Sequence, residues 1–271
     1  MKDEKKEIGI KEVQEFYEGA AGEFFDFLMF TEGEYGECLH YGGLENTDLI
    51  AEKTGLKSGM HILETCPYVA NSSRYFAKKY GCQVTGVDIT EKNVERAREN
   101  VKRANMEDQI TIVLGDAQDL KFEDASFDAV IGEDSWCHFS DKEAGVREAA
   151  RVLRKGGKFG LTDFCFMGKG EPDEEMSAIQ EGWSAPFFET VDNYVAHMRS
   201  NGVRVLEVND LSPVLLNEYK RYLVDVIEKK DEIVKRWGED MQTGAEGLIQ
   251  IIIRKLEAGE FSKYFMVGIK Q

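Results

Sequence analysis

Short apolar segments alternate with amphipathic segments through the middle of the chain, and this alternation constrains the fold more than any other feature. The apolar segments have the length and β-branched content of strands, and the segments between them have helical periodicity. Strands that alternate with helices form a parallel sheet covered by helices on both faces. We therefore predict an α/β fold with strands at 60–65, 82–88, 109–116, 127–134 and 158–164, and helices at 71–80, 90–104 and 142–153.

The flanking segments extend this prediction. Before the alternating region, an aromatic-rich helical pattern over residues 8–30 is followed by a glycine-containing segment and a short helix from Thr47 to Lys53. After it, helical patterns predominate and two further segments resemble strands. These later segments are a helical stretch at 172–202 with a break near Pro186, a strand at 203–211, amphipathic helices at 215–258 and a strand at 261–270.

Together the patterns predict one domain over residues 1–271, built on a mostly parallel, seven-stranded sheet. Right-handed crossovers place the carboxyl ends of the parallel strands at one edge, where ligands bind in such sheets. We expect an N-terminal lid at 8–45 and a helical cap within 165–260 to lie over this edge and close the pocket.

The charge balance restricts the partners. The chain carries 51 acidic and 34 basic residues, a formal net charge of −17. A strongly negative field repels phosphates, and the basic residues are scattered, so nucleic acid is disfavoured as a partner. No apolar run approaches about 18 residues, the minimum for a membrane-spanning helix, and the charged N-terminus lacks a signal-peptide core. The composition predicts a cytoplasmic protein that engages neither nucleic acid nor membrane.

The number and spacing of the cysteines also favour a cytoplasmic location. There are five, an odd number, and no two form a CxxC pair. This favours reduced thiols in a cytoplasm over a disulfide framework. No cluster of His, Cys and carboxylate residues has metal-ligand spacing, so we expect no metal site.

Acidic residues end three of the predicted strands. Glu64 ends the first and Asp88 the second, and an acid at the second position accepts hydrogen bonds from ribose hydroxyls in dinucleotide-type folds. Asp116 follows the third strand, where a carboxylate can accept a bond from the exocyclic amine of adenine. The alternatives are a helix cap or a solvated charge for Asp88 and an ordinary turn aspartate for Asp116.

His138 follows the fourth strand in the segment EDSWCHFSD. A neutral imidazole there could take a proton from an amine or hydroxyl. Alternatively, it caps the following helix or packs beside Trp136. Glu133 and Asp134 are adjacent acids at the same strand end, and their charge would attract a cation if they line the opening; solvated acids are the alternative.

Aromatic residues mark the N-terminal segment. Tyr17 and His40 are the candidates there for a small-molecule site, together with Tyr35 and Tyr41. Tyrosine rings can wall such a site, and their faces favour cationic groups. The alternative is that these side chains only pack a lid.

Longer motifs resemble a known family. LETCPYVANSSRYFAKKYGCQVTGVDIT, GDAQDL, SFDAVIGEDSWCHFSD and RVLRKGGKFGLTDF are similar to class I methyltransferases, which have a Rossmann-like fold and use S-adenosyl-L-methionine. Within that superfamily YGGLENT, DSWCH and LTDF resemble the phosphoethanolamine and the sarcosine/dimethylglycine N-methyltransferases. The resemblance implies methyl transfer to a small-molecule acceptor (an amine, hydroxyl or thiol) by a monomer or homodimer.

The resemblance also implies residue roles. Tyr17 and His138 match the tyrosine and histidine that are paired as the catalytic machinery of those N-methyltransferases. The predicted cofactor-binding residues are His40, Glu64, Cys66, Ala70, Asp88, Ile89, Asp116, Ala117 and Glu133.

The first loop departs from the family pattern. The family has acid-x-Gly-x-Gly-x-Gly, whereas this chain has Glu64-Thr65-Cys66-Pro67-Tyr68-Val69-Ala70, with every glycine replaced. Non-glycine residues adopt positive φ only at a cost. We therefore expect either a different loop path with a shifted cofactor, or weakened or lost cofactor binding. The second outcome would make the chain a non-catalytic, methyltransferase-like binding protein. A hydride-transfer enzyme is disfavoured because it usually needs the same glycines.

The predicted cap also departs from the pattern of the phosphobase enzymes. Phosphobase enzymes hold a phosphate with basic and tyrosine residues, but the comparable positions here are apolar, so phosphoethanolamine is not the first choice of acceptor. The alternatives for this apolar stretch are core packing or a dimer contact. Its residues are Trp183, Pro186, Phe187, Phe188 and the run LIQIIIRKL.

Overall fold

A computed structural model describes residues 2–29 and 41–271, and the side chains of 9–28 and 41–271. It contains seven strands: β1 (His61–Thr65), β2 (Gln83–Asp88), β3 (Ile110–Leu114), β4 (Phe127–Glu133), β5 (Leu153–Phe166), β6 (Val203–Asp210) and β7 (Phe261–Lys270). The helices are α1 (Lys2–Glu18), α2 (Ala20–Met29), α3 (Gly43–Thr54), α4 (Asn71–Tyr75), α5 (Glu91–Arg103), α6 (Lys142–Val152), α7 (Glu174–Gly182), α8 (Val191–Ser200), α9 (Ser212–Glu228), α10 (Lys230–Trp237) and α11 (Glu239–Glu257).

The strands form one sheet in the order β3-β2-β1-β4-β5-β7-β6. Strands β1 to β5 pair in parallel, and β7 runs antiparallel to both of its neighbours, β5 and β6. The strand order reverses between β1 and β4, which creates a crevice at their carboxyl ends. The predicted Rossmann-like, mostly parallel, seven-stranded fold is confirmed.

Apolar residues bury both faces of the sheet. On one face Val146 of α6 and Tyr194 of α8 pack with Phe159 of β5. On the other face Ile50 of α3 and Val94 of α5 pack over the central strands. Strands buried on both sides explain why the segments read as continuous apolar runs rather than alternating ones.

The cap has an apolar core of its own. Residues of α7, α9 and α11 pack together and onto Phe164 and Phe261 at the ends of β5 and β7. Ile179, Leu215 and Ile252 are almost completely buried there. The cap is therefore anchored to the sheet edge at which the parallel strands end. No helix in the described part of the chain is long and apolar enough to cross a bilayer.

Several predicted boundaries shift. The N-terminal pattern forms two helices with a break at Gly19, and the predicted helix at 71–80 is α4 followed by a π-helical turn at Phe76–Tyr80. Strand β5 begins at Leu153, so the glycines 156 and 157 lie within it. Thr90 precedes α5, but its side chain does not cap the helix; instead, the Asp88 carboxylate accepts a hydrogen bond from the Thr90 N–H at 2.9 Å.

Candidate functional site at the carboxyl edge of the sheet

Asp88 and Asp116 line one cavity at the carboxyl edge, under α1. Asp88 is the last residue of β2, and its Oδ2 accepts a hydrogen bond from the backbone N–H of Tyr68 at 3.2 Å. Asp116 follows β3 and accepts one from the N–H of Gln118 at 2.8 Å. Burial raises the pKa of Asp88 to about 6, against the hydrogen bonds that it accepts. The cavity has a volume of about 80 Å³, and Ile89, Ala117 and Glu133 also line it.

Glu64 is separated from this cavity. It lies one residue before the end of β1 and lines a smaller hollow, of about 40 Å³, that shares Cys66, Tyr68 and Glu133 with the first. Its carboxylate accepts a hydrogen bond from the Ser73 hydroxyl, and burial raises the pKa of Glu64 to about 7. Glu64 therefore lines the hollow next to the cavity of Asp88 and Asp116, and residues of the 66–70 loop line both.

The loop after β1 keeps left-handed backbone torsions without glycine. The φ angles are 57° at Cys66, 52° at Tyr68 and 61° at Ala70, the three positions where the family pattern has glycine. Backbone bonds hold them: the N–H of Cys66 donates to Val87 O at 2.7 Å, and that of Ala70 to Pro67 O at 2.8 Å. The loop therefore adopts positive φ at all three positions, at the expected cost for non-glycine residues of about 1–2 kcal/mol each.

These three residues have different surroundings. Cys66 and Tyr68 line both hollows, so their side chains occupy space that glycine would leave open. Ala70 is completely buried, precedes α4 and lines neither hollow. Its predicted role in cofactor binding therefore has no support from its position; its methyl group packs in the core behind the loop.

Tyr68 also connects the loop to the N-terminal helices. Its hydroxyl donates to Asp26 Oδ1 at 2.5 Å and accepts from Arg96 Nη1 at 3.0 Å. Arg96 also forms an ion pair with Asp26 at 2.8 Å. We call Tyr68, Asp26 and Arg96 the Tyr68 latch, because they join the β1 loop, α2 and α5. A second contact closes the cavity from α1, where the Gln14 amide donates to Ile89 O at 2.8 Å.

Tyr17 and His138 meet above the sheet edge. The Tyr17 hydroxyl, at the end of α1, lies 3.1 Å from Nε2 of His138, and Nδ1 of His138 lies 3.5 Å from the carbonyl oxygen of Ser184. Burial lowers the pKa of His138 to about 4 and raises that of Tyr17 well above its usual value. The imidazole is therefore neutral and the phenol protonated, so Tyr17 donates to Nε2 and that nitrogen is the basic one.

A buried lysine fixes the turn that carries His138. His138 ends a 3₁₀ turn (Trp136–His138), and Nζ of Lys142 donates to the carbonyl oxygens of Cys137, Phe139 and Phe187 at 2.7–3.0 Å. Asp163 accepts from the Cys137 N–H at 3.0 Å. Burial lowers the pKa of Lys142 to about 8. No sequence signal marks Lys142, which occupies the first turn of a predicted helix.

Asp134 is neutralised by a lysine that sequence reasoning missed. Its φ is 51°, and its Oδ2 accepts from Nζ of Lys263 at 2.5 Å and from the N–H of Tyr41 at 2.9 Å. Its Oδ1 is buried with no hydrogen-bond partner among the described residues. Asp134 and Glu133 do line one opening, but Lys263 offsets the charge with which Asp134 was expected to attract a cation.

A second cavity, of about 600 Å³, lies beside the first and beneath the cap. Trp183 lines it, whereas Pro186, Phe187 and Phe188 do not; the Phe187 ring covers Lys142 and Phe188 packs in the cap core. Much of α11 lines it as well, including four residues of the predicted run LIQIIIRKL: Leu248, Ile249, Ile251 and Ile252. Four residues line both cavities and so mark their junction: Tyr17, Phe25, Asp134 and His138.

The three other candidates in the N-terminal segment are His40, Tyr35 and Tyr41. His40, predicted to bind cofactor, lies outside the described residues, as does Tyr35. Tyr41 is buried and lines the larger cavity, where its hydroxyl lies 2.5 Å from that of Tyr219.

Known proteins are similar to this chain in sequence and in fold. A model of the methyltransferase domain family matches residues 67–161. The 27-O-demethylrifamycin SV methyltransferase of Amycolatopsis mediterranei is 31% identical over 202 residues, 69% of this chain and 74% of that protein. The sarcosine/dimethylglycine N-methyltransferase of Halorhodospira halochloris is 38% identical over 103 residues, 38% of this chain and 37% of that protein.

A solved methyltransferase structure has a similar fold. The Haemonchus contortus phosphoethanolamine N-methyltransferase 2, in complex with phosphomonomethylethanolamine and S-adenosylhomocysteine, superimposes with a TM-score of 0.82 at 19% identity, over 95% of this chain and 60% of that one. Fold and sequence thus define a Rossmann-like methyltransferase, as predicted. The chain belongs to the class I S-adenosylmethionine-dependent methyltransferases.

Proposed function

We propose that the protein transfers the methyl group of S-adenosylmethionine to a small-molecule acceptor bearing a hydroxyl, amine or thiol. The observation that carries this proposal is the junction between the two cavities. Tyr17 and His138, hydrogen-bonded to each other, line both the cavity next to the strand-end acids and the larger cavity beneath the cap. Donor and acceptor sites that meet at a proton-accepting pair suit a group transfer.

The residues of the smaller cavity fit an adenosyl group. Asp88 and Asp116 offer carboxylates to hydroxyl and amine donors. The buried Thr90 Oγ1 and Asn93 Oδ1, which line the same cavity, have no hydrogen-bond partner in the part of the chain that the structure describes. Unpartnered buried polar atoms are rare and call for a ligand or solvent. The β1 loop keeps the torsions that the glycine pattern serves.

The size of this cavity implies a movement. About 80 Å³ is far below the roughly 300–1,000 Å³ typical of sites for small organic ligands. Since α1 covers the cavity through Gln14 and the Tyr68 latch ties α2 to the sheet, these contacts open before a cofactor enters. We therefore assign α1 and α2 the role of a lid in a single domain, and the cap helices between residues 165 and 260 the acceptor side.

Of the junction residues, Tyr17 and His138 carry the proton transfer. The cofactor supplies an electrophilic methyl group on a sulfonium centre. An acceptor hydroxyl at the junction gives its proton to the Tyr17 oxygen while Tyr17 gives its own proton to Nε2 of His138. The acceptor oxygen, freed of its proton, would then take the methyl group as the methyl–sulfur bond breaks, with the thioether sulfur of S-adenosylhomocysteine as the leaving group. Lys142 and Asp163 hold the His138 turn in place, and the closed lid excludes water.

Calorimetric titration with S-adenosylhomocysteine and S-adenosylmethionine tests the donor half of the proposal. We expect micromolar binding of both, and a loss of binding in Asp88→Asn but not in Asp128→Asn, an aspartate outside both cavities that pairs with Arg154. A folded protein that binds neither compound contradicts the proposal and favours a non-catalytic binding protein.

A further inference from the structure

The cavity beneath the cap is apolar along most of its walls. It has a volume of about 600 Å³, within the range of sites that enclose drug-sized ligands. Phe24 and Leu28 of α2 line one side, Leu248 and Ile252 of α11 another, and Trp183 lies between them in the wall. Walls of this kind favour a ligand whose hydrocarbon surface is removed from water on binding.

The interior of this cavity offers no site for an ionic group. Among the described residues, no Lys or Arg lines it, so no cation is available for a phosphate or carboxylate. The acids that line it are Asp134, already paired with Lys263, and Asp240, which is exposed to solvent. A charged ligand would therefore lose its hydration without gaining a counter-charge.

A buried carboxylate oxygen without a hydrogen-bond partner among the described residues belongs to Asp134, a junction residue. The hydroxyls of Tyr41 and Tyr219, in the wall, bond to each other, and that of Tyr222 donates to Glu218. In contrast, Oδ1 of Asp134 is buried without a partner among the described residues and lies in the wall next to Tyr17 and His138. A ligand hydroxyl placed at this end can donate to that oxygen when it binds and then turn its proton toward Tyr17 for the transfer.

We propose that the acceptor is an uncharged, predominantly apolar alcohol or phenol. Its hydrocarbon body fills the cavity beneath the cap, and its hydroxyl lies among Tyr17, His138 and Asp134. This inference rests on the proposed methyl transfer for the role of the hydroxyl, but binding of the apolar body depends only on the cavity.

Tryptophan fluorescence measures this binding without cofactor or turnover. Trp183 lines the cavity, so a ligand there changes its emission, and the Trp183→Phe variant identifies that signal. The probes are farnesol, farnesylamine, which has the same chain with a cationic head, and phosphoethanolamine. We expect saturable binding of farnesol, binding of farnesylamine weaker by about tenfold or more, and no binding of phosphoethanolamine.

Two matched variants locate the site. Ile251, partly buried, lines the cavity, whereas Ile227 on α9 does not and is 51% exposed. Ile251→Lys places a charge in the cavity and should weaken farnesol binding by about tenfold or more, while Ile227→Lys should leave it unchanged. Gly247→Phe is a second blocking variant, since a Cβ at this cavity-lining glycine meets no atom within 4 Å.

The outcomes separate this inference from the proposed function. Tight phosphoethanolamine binding, no farnesol binding, or farnesol binding unaffected by both Ile251→Lys and Gly247→Phe would overturn the apolar acceptor, whatever the calorimetry with S-adenosylhomocysteine shows. Farnesol binding that both variants weaken supports the acceptor class even if the cofactor fails to bind, a result that would reject only the methyl transfer.

Discussion

Lys263 of β7 and Asp134, which follows β4, form an ion pair in which the lysine side chain is completely buried and the aspartate is 3% exposed. The same ammonium group donates to the carbonyl oxygen of Tyr41 at 2.6 Å. One buried cation thus joins the antiparallel part of the sheet, the junction of the cavities and the segment that leads into α3.

Lys263→Met should destabilise the protein by about 3–5 kcal/mol, because it leaves a buried carboxylate without its partner. Urea denaturation followed by circular dichroism measures the change in the free energy of unfolding. The control is Lys220→Met, which breaks an ion pair with Glu257 in which both side chains are half exposed and should cost less than about 1 kcal/mol. Equal effects of the two substitutions would contradict the role assigned to Lys263.

Tyr17→Phe should lower the rate of methyl transfer by roughly 10²–10⁴-fold, because it removes the hydroxyl that links the acceptor to His138. His138→Gln should have a comparable effect, and the two together little more than either alone, since they act as a unit. The measurement is single-turnover formation of S-adenosylhomocysteine. Tyr75→Phe, which removes a hydroxyl bonded to Asp48 away from both cavities, should retain the rate. Additive losses in the double variant would argue against a shared proton path.

Tyr68→Gly should strengthen S-adenosylhomocysteine binding. Glycine releases about 1–2 kcal/mol of left-handed strain, removes a ring from both hollows and removes the bond from Tyr68 to α2, leaving only the Arg96–Asp26 ion pair of the Tyr68 latch. Tyr68→Phe keeps the ring and the strain and loses only the hydroxyl bonds to Asp26 and Arg96, so its gain should be smaller. Calorimetry compares the three proteins; weaker binding to Tyr68→Gly than to the unaltered protein would show that the ring contributes to the site.

Cofactor affinity should fall as the pH is lowered through about 6, the pKa to which burial raises Asp88. Above this pH the carboxylate is ionised and accepts hydrogen bonds from hydroxyl donors, whereas below it the proton occupies an acceptor position. S-adenosylhomocysteine titrations between pH 5 and pH 8 should lose up to about tenfold in affinity per pH unit below the pKa. Asp88→Asn should bind weakly with a flat profile over this range; a persistent slope in that variant would assign the titration elsewhere, for example to Glu64, whose pKa is raised to about 7.

The sheet could be predicted from sequence because its signals are local. Each parallel strand is a short apolar run between helical segments, and the strand ends place Asp88 and Asp116 at a common edge whatever the details of the loops. The approach of Tyr17 to His138 came instead from family resemblance. Neither periodicity nor spacing indicates that residues 121 positions apart lie within hydrogen-bonding distance.

Long-range polar contacts could not be predicted in this way. Lys142 and Lys263 sit in segments where a lysine is ordinary, one in the first turn of a helix and one in a strand near the C-terminus. Their burial depends on carbonyl and carboxylate groups contributed by distant segments. The position of Glu64 could not be predicted for a related reason. The end of a strand does not show which of two neighbouring hollows its side chain will line.

In the loop after β1, the backbone torsion angles are the constrained property, and the residue types are not. Cys66, Tyr68 and Ala70 reproduce the backbone torsions of a glycine-rich turn, held by Val87, Asp88 and Pro67. A pattern search that requires glycine letters would discard this chain, although the peptide follows the expected course. For distant methyltransferases, a descriptor built on dihedral angles at these three positions should recover members that residue-based signatures miss, and should show that a bulky side chain there has not abolished the turn.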